Sequence, residues 1–152
     1  MYKELRRQDR RMDRTEAEEL LKQVDYGFLA TAGPDGQPYA VPLNHAYVDG
    51  YIVFHCAGEG LKLDNIRQNP KVSYAVCSEH EVQPEQHATR YRSAIAFGRA
   101  EIVEDFALKK GLLVALASRL APGVQFMCDD EYVARTGVVR VKVEHLTGKK
   151  SE

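Results

Sequence analysis

The segment His55-Cys56-Ala57-Gly58-Glu59-Gly60-Leu61-Lys62-Leu63 carries the strongest chemical signal in the chain. It runs from a β-rich stretch through a glycine-containing loop into a helix start, an arrangement that turns unpaired backbone amides toward an anion. Lys62 falls in or beside the first helical turn, where a lone cation opposes the macrodipole and a bound phosphate reverses that sign. Position alone fits a surface lysine and a phosphate ligand equally well. Both GxxxxGK[ST] and GxGxxG are absent, which argues against P-loop and dinucleotide Rossmann chemistry. His55, at a strand end, is read either as a hydrogen-bonded structural residue or as a catalyst, and Cys56 alternates to the opposite face, toward a core.

Two further segments can meet a ligand. In Tyr39-Ala40-Val41-Pro42-Leu43-Asn44, Pro42 cannot donate to a ladder. That position must lie at an edge, at a bulge, or beside something other than a strand, and the unpaired backbone groups around it can bond the polar rim of a flat heterocycle. In Arg90-Tyr91-Arg92-Ser93, two arginines at alternate positions share one strand face, where either can pair a phosphate bidentately or line a solvated rim. Other chemistries find little support. The cysteines, Cys56, Cys77 and Cys128, form no CxxC, and the five histidines include no HExxH or closely spaced metal pair. No Ser-His-Asp order or paired-carboxylate signature stands out.

The elements that must position these residues follow from periodicity. Thr15-Glu16-Ala17-Glu18 reads as a capping box opening a short helix with Ala17, Leu20, Leu21 and Val24 on one face. Tyr26–Ala32, Pro38–Val48 and Tyr51–Ala57 read as three strands of an antiparallel meander, joined by Gly33-Pro34-Asp35-Gly36 and Asp49-Gly50. LKLDNIRQ predicts a short helix stopped by Asn69-Pro70. Val72–Cys77 and Arg92–Val103 predict two more strands, separated by a polar loop from Ser78 to Tyr91 of the length that often carries function. Asp105 predicts a cap for a helix reaching Leu120, and Val138–Leu146 predicts a sixth strand. The expected fold is mainly β (α+β), a six-stranded antiparallel barrel flanked by helices.

The chain has 152 residues, 44% apolar and 28% charged, which predicts one domain over 1–152 and excludes wholesale disorder. A net charge of −1 argues against a generally basic nucleic-acid binder. Residues 1–14 nevertheless carry six basic groups against three acidic ones, predicting a basic N-terminal arm that is solvated, makes a subunit contact, or binds phosphate. No stretch approaches the roughly 20 apolar residues of a membrane span, and the first residues lack a signal peptide's apolar region. A cytoplasmic protein with no membrane partner is the expectation.

PYAVPLNHAYVDGYIVFHCAGEGLKLDNIRQNPKVSYAV, followed by TRYRSAIAFGRAEIVED, closely resembles the flavin-binding split-barrel proteins related to pyridoxamine 5′-phosphate oxidase. Within them it looks most like the nitroimidazole-resistance (Nim-type) branch. The resemblance runs from about Arg6 to Phe106, with a weaker echo in Val141 to Lys149. It implies a split barrel forming a homodimer, with two FMN molecules in grooves between subunits. Val41, Pro42, Leu43 and Asn44 would line the isoalloxazine, while His55, Cys56, Ala57, Lys62 and Leu63 would hold the ribityl chain and phosphate. Arg92 and Ser93 match further flavin contacts, and His55 matches a histidine near the flavin and a small-ligand pocket, where it can supply a proton. The chain has no Trp and ends VKVEHLTGKKSE, which departs from true vitamin B6 oxidases. The expectation is therefore an FMN-dependent reductase of a small flat acceptor such as a nitroaromatic, supplied by reduced nicotinamide or another donor. The alternatives are a haem-binding or haem-degrading barrel using His45, His55, His80 or His87, a non-catalytic flavin carrier or sensor, and a deazaflavin user.

Overall fold

Alternation of apolar and polar residues draws the strands of the chain into one antiparallel sheet. The computed structural model describes residues 2–152. Its strands are β1 (Arg11–Met12), β2 (Tyr26–Ala32), β3 (Pro38–Asn44), β4 (Ala46–Val48), β5 (Tyr51–Ala57), β6 (Lys71–Gln83), β7 (Ala88–Ile102) and β8 (Thr136–Ser151). They lie in the order β3-β2-β6-β7-β8-β5-β4, with β1 added on β8. The sheet curls into a split barrel flanked by α1 (Arg14–Gln23), α2 (Leu61–Gln68), α3 (Phe106–Leu120) and α4 (Asp130–Arg135).

Inward residues of the strands, among them Leu29, Ile52, Phe54, Tyr74, Val76, Ala96 and Val139, form the main core with Leu20 and Leu21 of α1 and Leu63 and Ile66 of α2. Val53 and Val138 point the other way and join Leu113, Leu116 and Val133 beneath α3 and α4. Around these two positions the sheet is covered on both faces, and the sequence there is correspondingly a near-continuous apolar run.

The barrel is split because two strands are bonded on one side only. β3 pairs with β2 along its whole length, from Tyr26 opposite Asn44 to Ala32 opposite Pro38, and has no neighbour beyond. β4 covers only Tyr51–Val53 of β5, so from Phe54 to Ala57 that strand is bonded to β8 alone. Pro42, opposite Phe28, thus sits on an edge strand, one of the places its missing N–H allows.

Several elements differ from expectation. The helix cap is Asp13, whose side chain accepts from the Glu16 amide at 2.8 Å while Glu16 reaches back to the Asp13 amide, so the capping box lies two residues earlier than Thr15-Glu18. Buried Met12 fixes the chain's entry there, and Arg11 and Met12 pair with Lys149 and Gly148. Arg11 and Met12 of the basic arm are thereby part of the sheet. The stretch predicted as a loop, Ser78 to Tyr91, is mostly the far end of the β6–β7 hairpin, turning at Pro84–Gln86 with His87 left-handed. Its residues are mostly exposed on both faces, so no alternation marks them as strands. His45 breaks Pro38–Val48 into β3 and β4, which with β1 raises the strand count from six to eight.

The end of α1 explains that break. Of its last four carbonyls, Leu20 accepts from the Val24 amide and Leu21 accepts from His45 Nε2 at 2.8 Å. Those of Lys22 and Gln23 accept from the Arg119 guanidinium. All four carbonyls are satisfied, two of the donors arriving from distant sequence. Burial pushes the His45 imidazole below its usual pKa, opposed by the Leu21 carbonyl. The unfolded chain therefore binds more protons than the folded one just below about pH 6.5, and stability falls as pH drops through that window. The melting temperature should hold between pH 8 and 7 and decline toward pH 5. The decline should be blunted in His45→Gln, and an equal decline in both proteins would remove His45 as its source.

Candidate functional site

The open edges of β3 and β5 face each other across a seam. A pocket of about 340 Å³ lies there, lined by Tyr26, Pro42, Leu43, Asn44 and His55. Strand alternation explains the lining: Pro42 and Asn44 are exposed, whereas Val41 and Leu43 pack their side chains on the main core. Leu43 borders the pocket while its side chain anchors the strand. On β5, His55 is exposed and neither ring nitrogen has a hydrogen-bond partner among the described residues. Cys56 turns inward against the core, as its position predicts.

The chain leaves β5 through Gly58-Glu59-Gly60 and enters α2. Gly60 is the N-cap at φ 142°, a conformation that favours glycine, and no side chain caps the helix. Lys62 is half-buried in the first turn and has no carboxylate within ion-pair distance among the described residues. It faces Cys56, whose thiol is pushed up by burial and pulled back by the Lys62 charge. An uncapped helix start with an unneutralised cation suits an anion with two or more acceptor oxygens. Leu63 is buried beneath this turn as part of the core.

Arg92 and Ser93 lie elsewhere in the same chain. Arg92 is drawn to Glu16 at 3.7 Å, and the Ser93 hydroxyl reaches the Lys149 carbonyl at 3.4 Å. Arg90, the other candidate phosphate partner, is paired with Glu81 at 3.4 Å. Neither arginine is a free cation, and neither lines the seam pocket. Tyr26 does line it and was not among the expected site residues. The cue was available, because Tyr26 and Phe28 alternate with buried Gly27 and Leu29 and so must face outward. Of the four histidines considered as haem ligands, His45 is excluded, since it is 0% exposed with Nε2 on the Leu21 carbonyl and Nδ1 2.9 Å from the Tyr74 hydroxyl. Among the described residues no group of three His, Cys, Asp or Glu side chains is placed to hold a metal ion, and no helix is long and apolar enough to cross a membrane.

A split barrel with a ligand-sized seam between two open strand edges and a cationic helix start beside it defines the class. The pyridoxamine 5′-phosphate oxidase family model matches residues 13–150, and the chain belongs to that family. No curated protein matches the sequence. Among solved structures, a candidate 5-nitroimidazole antibiotic resistance protein from Bacteroides thetaiotaomicron is 29% identical, with a TM-score of 0.81 over 91% of this chain and 85% of that one. A FAD-binding protein from Mesorhizobium loti is 27% identical over 94% of this chain and 98% of its own, with a TM-score of 0.70. The FAD- and haem-binding protein of Mycobacterium smegmatis, 24% identical over 92% of this chain and 72% of that one at a TM-score of 0.81, shares the fold.

Proposed function

We propose that the protein is an FMN-dependent oxidoreductase that binds the flavin along the β3–β5 seam and acts on a small flat acceptor such as a nitroaromatic. The observation that carries this reading is the half-buried, carboxylate-free Lys62 at an uncapped helix start, one loop away from His55 in the seam. The donor set fits a flavin phosphate: one ammonium and helix-start amides supply several N–H groups, and Asp64, the acid of the first turn, is paired with Arg67 at 3.2 Å. Pro42, Leu43 and Asn44 present an edge strand along which a planar ring can lie. The flavin, when bound, supplies the electron-transfer chemistry. His55 stands in the pocket with both nitrogens unengaged, able to hydrogen-bond an acceptor and deliver a proton to it. The flavin-binding and nitroimidazole-resistance names of the similar structures support the reading.

A homodimer completes it. Alternation puts Ser93 on the outward sheet face with Ile95, and that face carries the row Pro42, Phe28, Ala75, Ile95 and Thr147 across five strands. Phe28 is 50% and Ile95 41% exposed, an apolar row that a second copy would cover, bringing its own Ser93 toward the flavin. A second reading, haem ligation by His55, is favoured by the same unengaged imidazole; it predicts a Soret band on haem titration that His55→Ala abolishes. Native mass spectrometry of the purified protein tests the main reading. A yellow dimer releasing two FMN is expected, and colourless protein that ignores saturating FMN would end it.

A further inference from the structure

Tyr74 is 0% exposed, yet its hydroxyl reaches the strand that lines the seam. It stands on β6 opposite Leu29 of β2, and its ring passes Gly27, where a β-carbon would lie 2.5 Å from Tyr74 Cε1. Beyond that gap the hydroxyl donates to the Leu43 carbonyl of β3 at 2.8 Å and lies 2.9 Å from His45 Nδ1. One phenol thus stitches together three strands and the break between β3 and β4. We propose that Tyr74 is the positioning residue of the cofactor strand, clamping Leu43 and thereby the flanking Pro42 and Asn44, and that His45 governs the clamp; this rests on the flavin reading.

The proton count gives the coupling. His45 Nε2 must carry a hydrogen, because its partner is the Leu21 carbonyl. In the neutral ring Nδ1 is then an acceptor, so the single phenol proton is contested between Nδ1 and the Leu43 carbonyl. In the imidazolium Nδ1 donates to the phenol oxygen, and the phenol proton is committed to Leu43. The groups facing His45 are the Tyr74 phenol from β6, the C-terminal carbonyls of α1, Arg119 from α3 and Asp25 between α1 and β2. Arg119 and Asp25 pair with each other at 3.1 Å, and their effects on His45 oppose.

Tyr74→Phe keeps the ring and removes only the hydroxyl. FMN titration of the full chain between pH 8 and pH 5 should show a penalty of about fivefold at pH 8, the scale of one neutral hydrogen bond. That penalty should grow as the pH falls, whereas in a His45→Gln background it should be independent of pH. Taking ratios between variants cancels the ionisation of the FMN phosphate itself. Amide hydrogen exchange at Asn44 and His45 should quicken in Tyr74→Phe even without flavin. Equal affinities at every pH with unchanged exchange overturn the clamp, and a penalty that ignores pH overturns the coupling to His45. Should the wild type bind no flavin, the seam reading fails by itself; faster exchange in Tyr74→Phe then still supports the clamp and unchanged exchange still overturns it.

Discussion

Lys62→Ala is expected to weaken FMN binding by about 1.5–3 kcal/mol, the worth of a charge-assisted hydrogen bond, or roughly 10- to 150-fold in dissociation constant. The expectation rests on Lys62 being a half-buried cation without a carboxylate partner in the first turn of α2, one loop beyond His55, while Arg90 and Arg92 are held by Glu81 and Glu16. Riboflavin, which lacks the phosphate, should bind wild type and variant alike. An FMN affinity untouched by the substitution would remove Lys62 from the site, and equal losses for FMN and riboflavin would assign it to the fold. The helix itself should not suffer, because losing a cation from its first turn relieves an unfavourable dipole interaction.

Gly98→Ala should produce the largest loss of stability among conservative substitutions, about 3 kcal/mol or more, the upper range for overpacking. The pairing of β7 with β8 shifts register between Phe97 and Gly98. There the backbones approach so closely that a β-carbon on Gly98 would lie 2.0 Å from the Lys142 carbonyl oxygen and 2.9 Å from its carbon. Neither atom belongs to a flexible side chain, so the strands themselves must part. Thermal unfolding should fall by roughly 6–12 °C for a chain of this size. Gly111→Ala is the control. It lies in α3, where an added β-carbon meets nothing within 4 Å, and replacing a helical glycine should raise stability by about 0.5–1 kcal/mol. Similar melting temperatures for the Gly98 variant and wild type would refute the packing argument.

Where each residue's environment was set by its neighbours in sequence, the reading of the chain held. Tyr26–Ala32, Tyr51–Ala57 and Leu61–Gln68 fall within the predicted bounds because turn residues or a proline punctuate them. Pro42 narrowed its own position to an edge, a bulge or a strandless neighbour, and the structure realises the edge. The misreadings share one cause, partners far away in sequence. Ser78–Tyr91 lacks an apolar face, and only the pairing of Glu81 with Arg90 and of Val82 with Thr89 makes it a ladder. The extension of β8 to Ser151 depends on β7 in the same way. His45 looked like any strand histidine, and its role follows from the Leu21 carbonyl 24 residues away and the Tyr74 hydroxyl 29 residues away. Short α4, capped by Asp129, carries too little periodicity to be seen. Within the site, Pro42 to Asn44 and His55 do converge, whereas Arg92 and Ser93 lie apart from them, beside Glu16 and the Lys149 carbonyl.

Since β3 and β4 are one run of peptide, the gap facing β5 is a wedge with a covalent apex at His45. That end cannot be forced wider without bending the main chain there, whereas at its other end β5 leaves through a three-residue loop into α2. Under the proposed flavin reading a guest would be sorted twice, by thickness where the gap converges and by charge where the chain enters α2. On that proposal, a preference for a thin, charged-tailed molecule would follow from chain connectivity before any individual contact is made.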